Sequence, residues 1–358
     1  GNEARNLCLS QTGSAPRRPH MIFFNPANSH AIVSFVATGH VLFMDAATRI
    51  PLQCIDVGDQ AHAAVPSPDQ TYVVVANQNG KQLQRIKTNY QTNQFTLDNA
   101  ATLGLANCTT PSGTGCQHSG LRPDNAPICP IVDSSSRYSF VTLRGGGLFV
   151  VDSTATPMAI VAEYDKEYVH PNGCGGIEAS GKVYINSGGG TTNNPLESDL
   201  YALPLNNFSI RPNPPNQPIP KLIFSHDSRG FVDSHGMALT KSKRYLWVVD
   251  RAANRIVIVD VQKDYVVNEI NLVNGFSPDP APDLINFSSS GNRAFIALRG
   301  LKPLTSNDPT VNNAVGSTPG VGVVRVEQDG RSGVLEAIAP ISPYAIADPH
   351  GITVRPLN

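Results

Sequence analysis

Charge is scarce in this chain of 358 residues. Only 15% are Asp, Glu, Lys or Arg, and 27 basic against 28 acidic residues leave a formal net charge of -1. No basic block occurs, so nucleic acid and anionic membrane surfaces are not expected as partners. No apolar run approaches the ~20 residues that span a bilayer as a helix, and membrane insertion is not expected. C-x-x-C and C-x-x-C-H are missing, which removes zinc ribbons, thioredoxin-type sites and c-type haem. G-x-S-x-G is missing, and no serine stands out from the turn serines, so nucleophile-elbow hydrolysis has no carrier. There is no P-loop and no G-x-G-x-x-G after a strand; Gly145–Gly147 and Gly188–Gly190 read as turn glycines.

The chain is rich in turn formers, with 30 Gly and 29 Pro, and its 40% hydrophobic residues suffice for a sizeable core. That mixture suits many short strands joined by turns. The opening GNEARNLCLSQTG has neither an initiator Met nor an apolar leader, as expected of a mature form. Six cysteines, Cys8, Cys54, Cys108, Cys116, Cys129 and Cys174, form an even set without metal spacing, which favours disulfides and a secreted or periplasmic home. Cys108 and Cys116 bracket the polar loop TTPSGTG and are expected to pair. Cys8 with Cys54 and Cys129 with Cys174 complete the favoured set, although six cysteines permit 15 pairings. Asn107, Asn207 and Asn286 each open an N-x-[ST] sequon, a triplet too common by chance to decide anything.

Self-similarity is the strongest signal. A short apolar stretch, a polar turn, a strongly apolar strand, a turn and another strand recur. The unit is clearest at His235 (HGMALTKSKRYLWVVDRAANRIVIVDV). It returns at His62 (HAAVPSPDQTYVVVANQNGKQLQRI), Cys129 (CPIVDSSSRYSFVTLRGGGLFVVD) and Asp283 (DLINFSSSGNRAFIALRG). His20 and His170 open two more copies, and His350 opens a truncated one, HGITVRPLN. The alternation of β-branched and aromatic residues has no competing helical period. A unit of ~40–60 residues with four strands is a propeller blade. The expected fold is therefore all-β: one propeller domain over residues 1–358, seven-bladed with an abbreviated last blade, and a six-bladed ring as the alternative. Residues 1–19 are expected to contribute at most one strand, through Asn6–Gln11. Long insertions at about 101–126, 187–220 and 300–320 are expected as rim loops.

The first position of each unit lines the channel mouth of a propeller. Read in order, these positions hold His20, His62, Cys129, His170, His235, Asp283 and His350, five His from a chain total of nine. Neutral imidazole is the commonest transition-metal ligand. His20, His62, His170, His235 and His350 are therefore the candidate metal ligands, with copper favoured over zinc or iron. Cys129 is assigned to a disulfide rather than to the metal. His30, His40, His118 and His226 are off the ring and are expected at the surface or in turns. Arg144, Arg251 and Arg299 end the second strand of their units and are candidate catalytic residues that could grip an anionic substrate by forked hydrogen bonds; tying neighbouring blades together is the plainer role.

The stretch DRAANRIVIVDV resembles the third-strand signature of YVTN- and NHL-type propeller repeats, a pattern that extends over nearly the whole chain. SHGMAL followed by VVDRAANRI is similar to repeats of the amidating-lyase and streptogramin-lyase propellers, and that resemblance implies a catalytic metal held by inner-strand His. Only His235 and His350 carry the matching wording. The expectation is a secreted or periplasmic metalloenzyme, an oxidoreductase or a lyase or hydrolase, with a small-molecule substrate at the channel mouth. The alternative is a non-catalytic propeller that binds a protein or glycan partner through its rim loops.

Overall fold

A computed structural model describes every residue except 189–197, 206–207, 209–216, 227–232, 305–314, 342–345 and 357–358. The fold is an all-β propeller of six blades, the alternative count from the sequence. Each blade is an antiparallel sheet whose four main strands pair in chain order. The chain divides into two compact units: residues 1–172 with 205–219, and residues 173–204 with 220–358. The first carries the strands of blades 1, 2 and 3 (residues 19–56, 61–104 and 127–164) and the second carries those of blades 4, 5 and 6 (residues 176–204 with 221–225, 234–271 and 282–340).

The repeat seen in the sequence has a conformational counterpart. Two residues before every second strand, the backbone enters the left-handed region: Asn28, Gln70, Ser136, Ser180, Lys243 and Gly291. This is the tight hairpin bend that the polar S-P-D, S-S-S and S-S-G turns supply. The second and third strands of blade 5, Tyr245–Asp250 and Arg255–Asp260, are buried at every position, as continuous apolar runs bounded by turns should be. In the second unit, Trp247, Ile256 and Ile258 of blade 5 pack with Ile296, Leu298 and Val324 of blade 6 in one cluster. In the first, Ile32 and Phe43 of blade 1 pack with Val73 and Ile86 of blade 2.

Two expectations are corrected. No seventh blade begins at His350: blade 6 already has four strands, ending in Ser332–Pro340, and residues 350–356 form no strand. That segment is held by side chains, among them Asn286 to Thr353 at 3.5 Å. Asn6–Gln11 is not a strand but lies in helix α1 (Asn2–Thr12). NEARNLCLSQT lacks period-2 alternation, carries Glu3 in the first turn, and ends at Gly13 in the left-handed conformation with its N–H on Leu9 O. Cys8, buried on the helix, is disulfide-bonded to Cys54. The Thr12 hydroxyl lies 2.9 Å from His40 Nε2.

Cys108 and Cys116 are bridged as expected, Cys129 and Cys174 are each disulfide-bonded, and no cysteine is free. No helix among the described residues is long and apolar enough to cross a membrane. Asn207 lies outside the described residues, as do parts of the expected rim loops at 187–220 and 300–320.

Candidate functional site

The ring residues share a backbone feature that the sequence did not reveal. In blades 1, 2, 3, 5 and 6 the pairing of first and second strands slips near its start, and the slip falls on His20, His62, Cys129, His235 and Asp283. Such bulges re-aim a side chain that regular alternation would point elsewhere, and they concentrate next to functional sites. Second-strand side chains hold the bulged backbone: Ser34 Oγ donates to His62 O at 3.0 Å, and Asn186 Nδ2 to His235 O at 2.8 Å. Gly236 follows from the same geometry. A Cβ there would sit 2.5 Å from Asp283 O and 2.7 Å from Leu284 Cα, so the H-G dipeptide lets the first strands of blades 5 and 6 approach closely.

In the first unit, His20 and His62 are buried and their Nε2 atoms lie 3.2 Å apart, with ring planes at 67°. At that distance one ring donates its Nε2–H to the other, so the pair is joined by a hydrogen bond. The Sγ of Cys129 is 3.8 Å from His62 Nδ1, but it belongs to a disulfide and offers no thiolate. His170 is half-buried in the irregular segment before the first strand of blade 4, Gly176–Ala179, and not on that strand.

The second unit holds the more completely built cluster. Asp283, with no solvent exposure, receives His235 Nδ1–H on Oδ1 and His350 Nδ1–H on Oδ2, the latter at 2.7 Å. The two rings are 4.8 Å apart, centre to centre. Arg299 Nη1 reaches Asp283 Oδ2 at 2.9 Å and forks its Nε and Nη2 onto Asp348 at 2.7 and 2.9 Å. Arg251 Nη1 stands 3.4 Å from both Asp283 oxygens and forks onto Asp233 at 2.8 and 2.9 Å. The forks expected to meet an anionic substrate thus close on carboxylates of the chain itself. Arg144, in the other unit, is one-third exposed, donates from Nε to Asp124 and lies 3.4 Å from Asn79.

Two guanidiniums here, Arg251 and Arg299, face three buried carboxylates, Asp233, Asp283 and Asp348. Burial opposes ionisation of Asp283, but the facing His350, His235, Arg251 and Arg299 hold its carboxyl well below the usual range. His235 is pushed down to about 3, first by burial and then by the Arg251 charge, against the pull of Asp283. It is therefore neutral near pH 7. Because its proton lies on Nδ1, facing Asp283, its Nε2 carries a lone pair. His350 has its Nδ1 proton fixed in the same way. A carboxylate behind Nδ1 and a basic Nε2 in front is the arrangement that orients metal-binding histidines.

Asp233 and Asp348 were not singled out in the sequence. Their signal was present as D-x-H-G, in Asp233–Gly236 and again in Asp348–Gly351. The off-ring histidines also differ from expectation. His30, His40 and His226 are buried because each packs within a hydrogen-bonded setting; His226 Nδ1, for example, accepts from Arg255 at 2.8 Å. His118 is exposed, as expected.

No known protein family matches the chain, and no curated protein sequence matches it. Solved structures do. The periplasmic gluconolactonase of Pseudomonas aeruginosa superposes with a TM-score of 0.59 at 14% identity, covering 93% of this chain and 86% of that one. A functionally unknown protein from Desulfotomaculum acetoxidans gives 0.56 at 12%, covering 88% and 82%. A chain of the mitotic checkpoint complex gives 0.56 at 10%, covering 90% and 80%. What is shared is the β-propeller fold. At these identities, on chains of such different description, the fold carries no activity with it.

Proposed function

We propose that the protein is a secreted or periplasmic metal-dependent hydrolase, with His235, Asp283 and His350 at its centre and a small lactone or ester of a hydroxy acid as substrate. The observation that carries this reading is the shared carboxylate: one buried Asp sets the tautomer of two imidazoles and leaves both Nε2 atoms basic. The donor set fits a transition metal, since neutral imidazole nitrogens suit copper, zinc and iron alike. His235 and His350 would hold the ion through Nε2. Bound there, it would supply Lewis acidity toward a carbonyl oxygen. Asp283 orients both rings, and Arg251 and Arg299 hold that carboxylate ionised and in place. The disulfides support an oxidising compartment. A propeller of the same fold is a periplasmic gluconolactonase, so hydrolysis, rather than redox or lyase chemistry, is the activity put to the test.

The test uses protein prepared without added metal and without an affinity tag of histidines. Elemental analysis is expected to find a stoichiometric transition metal that His235→Ala with His350→Ala abolishes, while His118→Ala leaves it unchanged. Acid release from δ-gluconolactone is expected above the spontaneous rate and is lost with a chelator. Absence of metal, or full metal content in the double variant, overturns the metal reading; metal without hydrolysis of any aldonolactone overturns the substrate class.

A further inference from the structure

The far ends of the same two inner strands carry a second feature that the His cluster does not use. The strand Ser234–Leu239 begins beside His235 and ends at the Thr240–Arg244 turn; Pro282–Phe287 begins beside Asp283 and ends at the Ser290–Asn292 turn. Six residues of strand span about 20 Å, so these turns stand well away from the imidazoles. Between them and the Gln328–Arg331 turn of blade 6 lies a groove of about 890 Å³, within the size range of small-molecule sites.

The groove is polar and carries uncompensated positive charge. Lys241 and Arg331 line it and make no ion pair with any described residue, whereas Arg244 leans on Asp260 at 3.2 Å. Asp329 is the single carboxylate of the lining, and Asn292, Gln328 and the turn hydroxyls supply neutral donors and acceptors.

The walls are also held in advance. Gly291, at φ +77°, lies against the stem of Lys241, where a Cβ would stand 2.6 Å from the lysine Cβ. Trp247 Nε1 donates to Gly330 O at 2.7 Å and anchors the third turn. Within that turn Gln328 (φ 49°) and Asp329 (φ 56°) both sit in the left-handed region. Non-glycine residues so placed are strained and gather at ligand clamps.

We infer that this groove binds a monosaccharide carrying an anionic group, a sugar phosphate or sugar acid. Two free cations attract the anion, charge-assisted hydrogen bonds fix it, and the amides and hydroxyls match sugar hydroxyls. The inference is independent of the metal site.

Trp247 is the only tryptophan of the chain and touches the groove wall, so its fluorescence reads occupancy, with titration calorimetry in parallel. The full chain is titrated with glucose 6-phosphate, gluconate, glucose and inorganic phosphate. Saturable binding of glucose 6-phosphate or gluconate is expected, weakened by added salt; that of glucose 6-phosphate is unchanged in His235→Ala. Lys241→Met with Arg331→Met is expected to raise the dissociation constant at least tenfold while circular dichroism and denaturation stay as in the parent. Both residues are exposed, so the fold does not depend on them. Failure of both anionic sugars to bind, an unchanged constant in the double variant, equal binding of glucose, or equal binding of inorganic phosphate would each overturn the inference. Loss of glucose 6-phosphate binding in His235→Ala would refute its independence from the metal site.

Discussion

Asp283→Asn strikes the atom pair on which the cluster converges. The carboxylate accepts from two imidazoles and two guanidiniums. An amide of the same shape has one acceptor oxygen, and its NH2 must face a former donor. Arg251 and Arg299 keep Asp233 and Asp348 as partners, so neither is left as a bare buried charge. The damage therefore concentrates on the imidazoles: one keeps an acceptor, and the other loses its hydrogen bond or turns to the Nε2–H tautomer.

A hydrogen bond to a charged group contributes ~1.5–3 kcal/mol, and fully breaking a buried pair costs ~3–5 kcal/mol; with both guanidiniums still paired, a loss of about 2–3 kcal/mol is expected. Loss of an outer-shell carboxylate lowers metal affinity ~10–100-fold. Reversal of one ligand's tautomer places this variant near the upper end. Urea denaturation reads the stability, and metal content after dialysis reads the affinity. Nitrogen-15 spectra of labelled histidine read the tautomers without any metal. His235 or His350 protonated at Nε2 alone in the parent protein would refute the reasoning, as would an Asn variant with parental stability and metal content.

Arg299→Met takes the forked guanidinium away from Asp283 and Asp348, at a cost of about 3–5 kcal/mol in denaturation; it should also expose residues 346–356 to limited proteolysis, and unchanged cleavage would show that Arg299 does not hold that segment. Cys8→Ser with Cys54→Ser opens a link between residues 46 apart, for which loop-closure entropy gives about 4 kcal/mol; an unchanged denaturation midpoint would show that α1 is held by its other contacts. The pH dependence has a definite sign. His235 in the metal-free protein has its pKa lowered to about 3 and burial lowers that of His40 as well, so the unfolded chain takes up these protons first, near pH 6.5. Stability is full above that pH and falls as the solution is acidified toward the folded values, and His40→Gln should make the fall shallower; a stability profile flat between pH 7 and 5 would contradict this.

Periodicity explains how much of this was legible. Strand–turn–strand units such as the one from His235 declare blades because alternation and turn chemistry are local properties. The even cysteine set without metal spacing likewise pointed to disulfides. The start of the repeat marked His20, His62, His235 and Asp283, since each is the residue after a turn at the head of an apolar strand. The number of blades was less legible, because HGITVRPLN has the wording of a first strand and only its surroundings tell that no ladder forms. Asn6–Gln11 misled for a similar reason: eleven residues with weak periodicity became a helix once Cys8 was tied to Cys54 and Gly13 closed its end.

Local pattern and composition carry the all-β class, the repeating unit and the list of residues from which a site would be built. The tertiary structure alone decided which of them meet. The bulges that turn the ring side chains, the carboxylate shared by His235 and His350, and the closure of Arg251 and Arg299 on Asp233 and Asp348 all join residues from 16 to 67 positions apart. Such contacts are set by how blades pack on one another, and no local pattern of side chains encodes them.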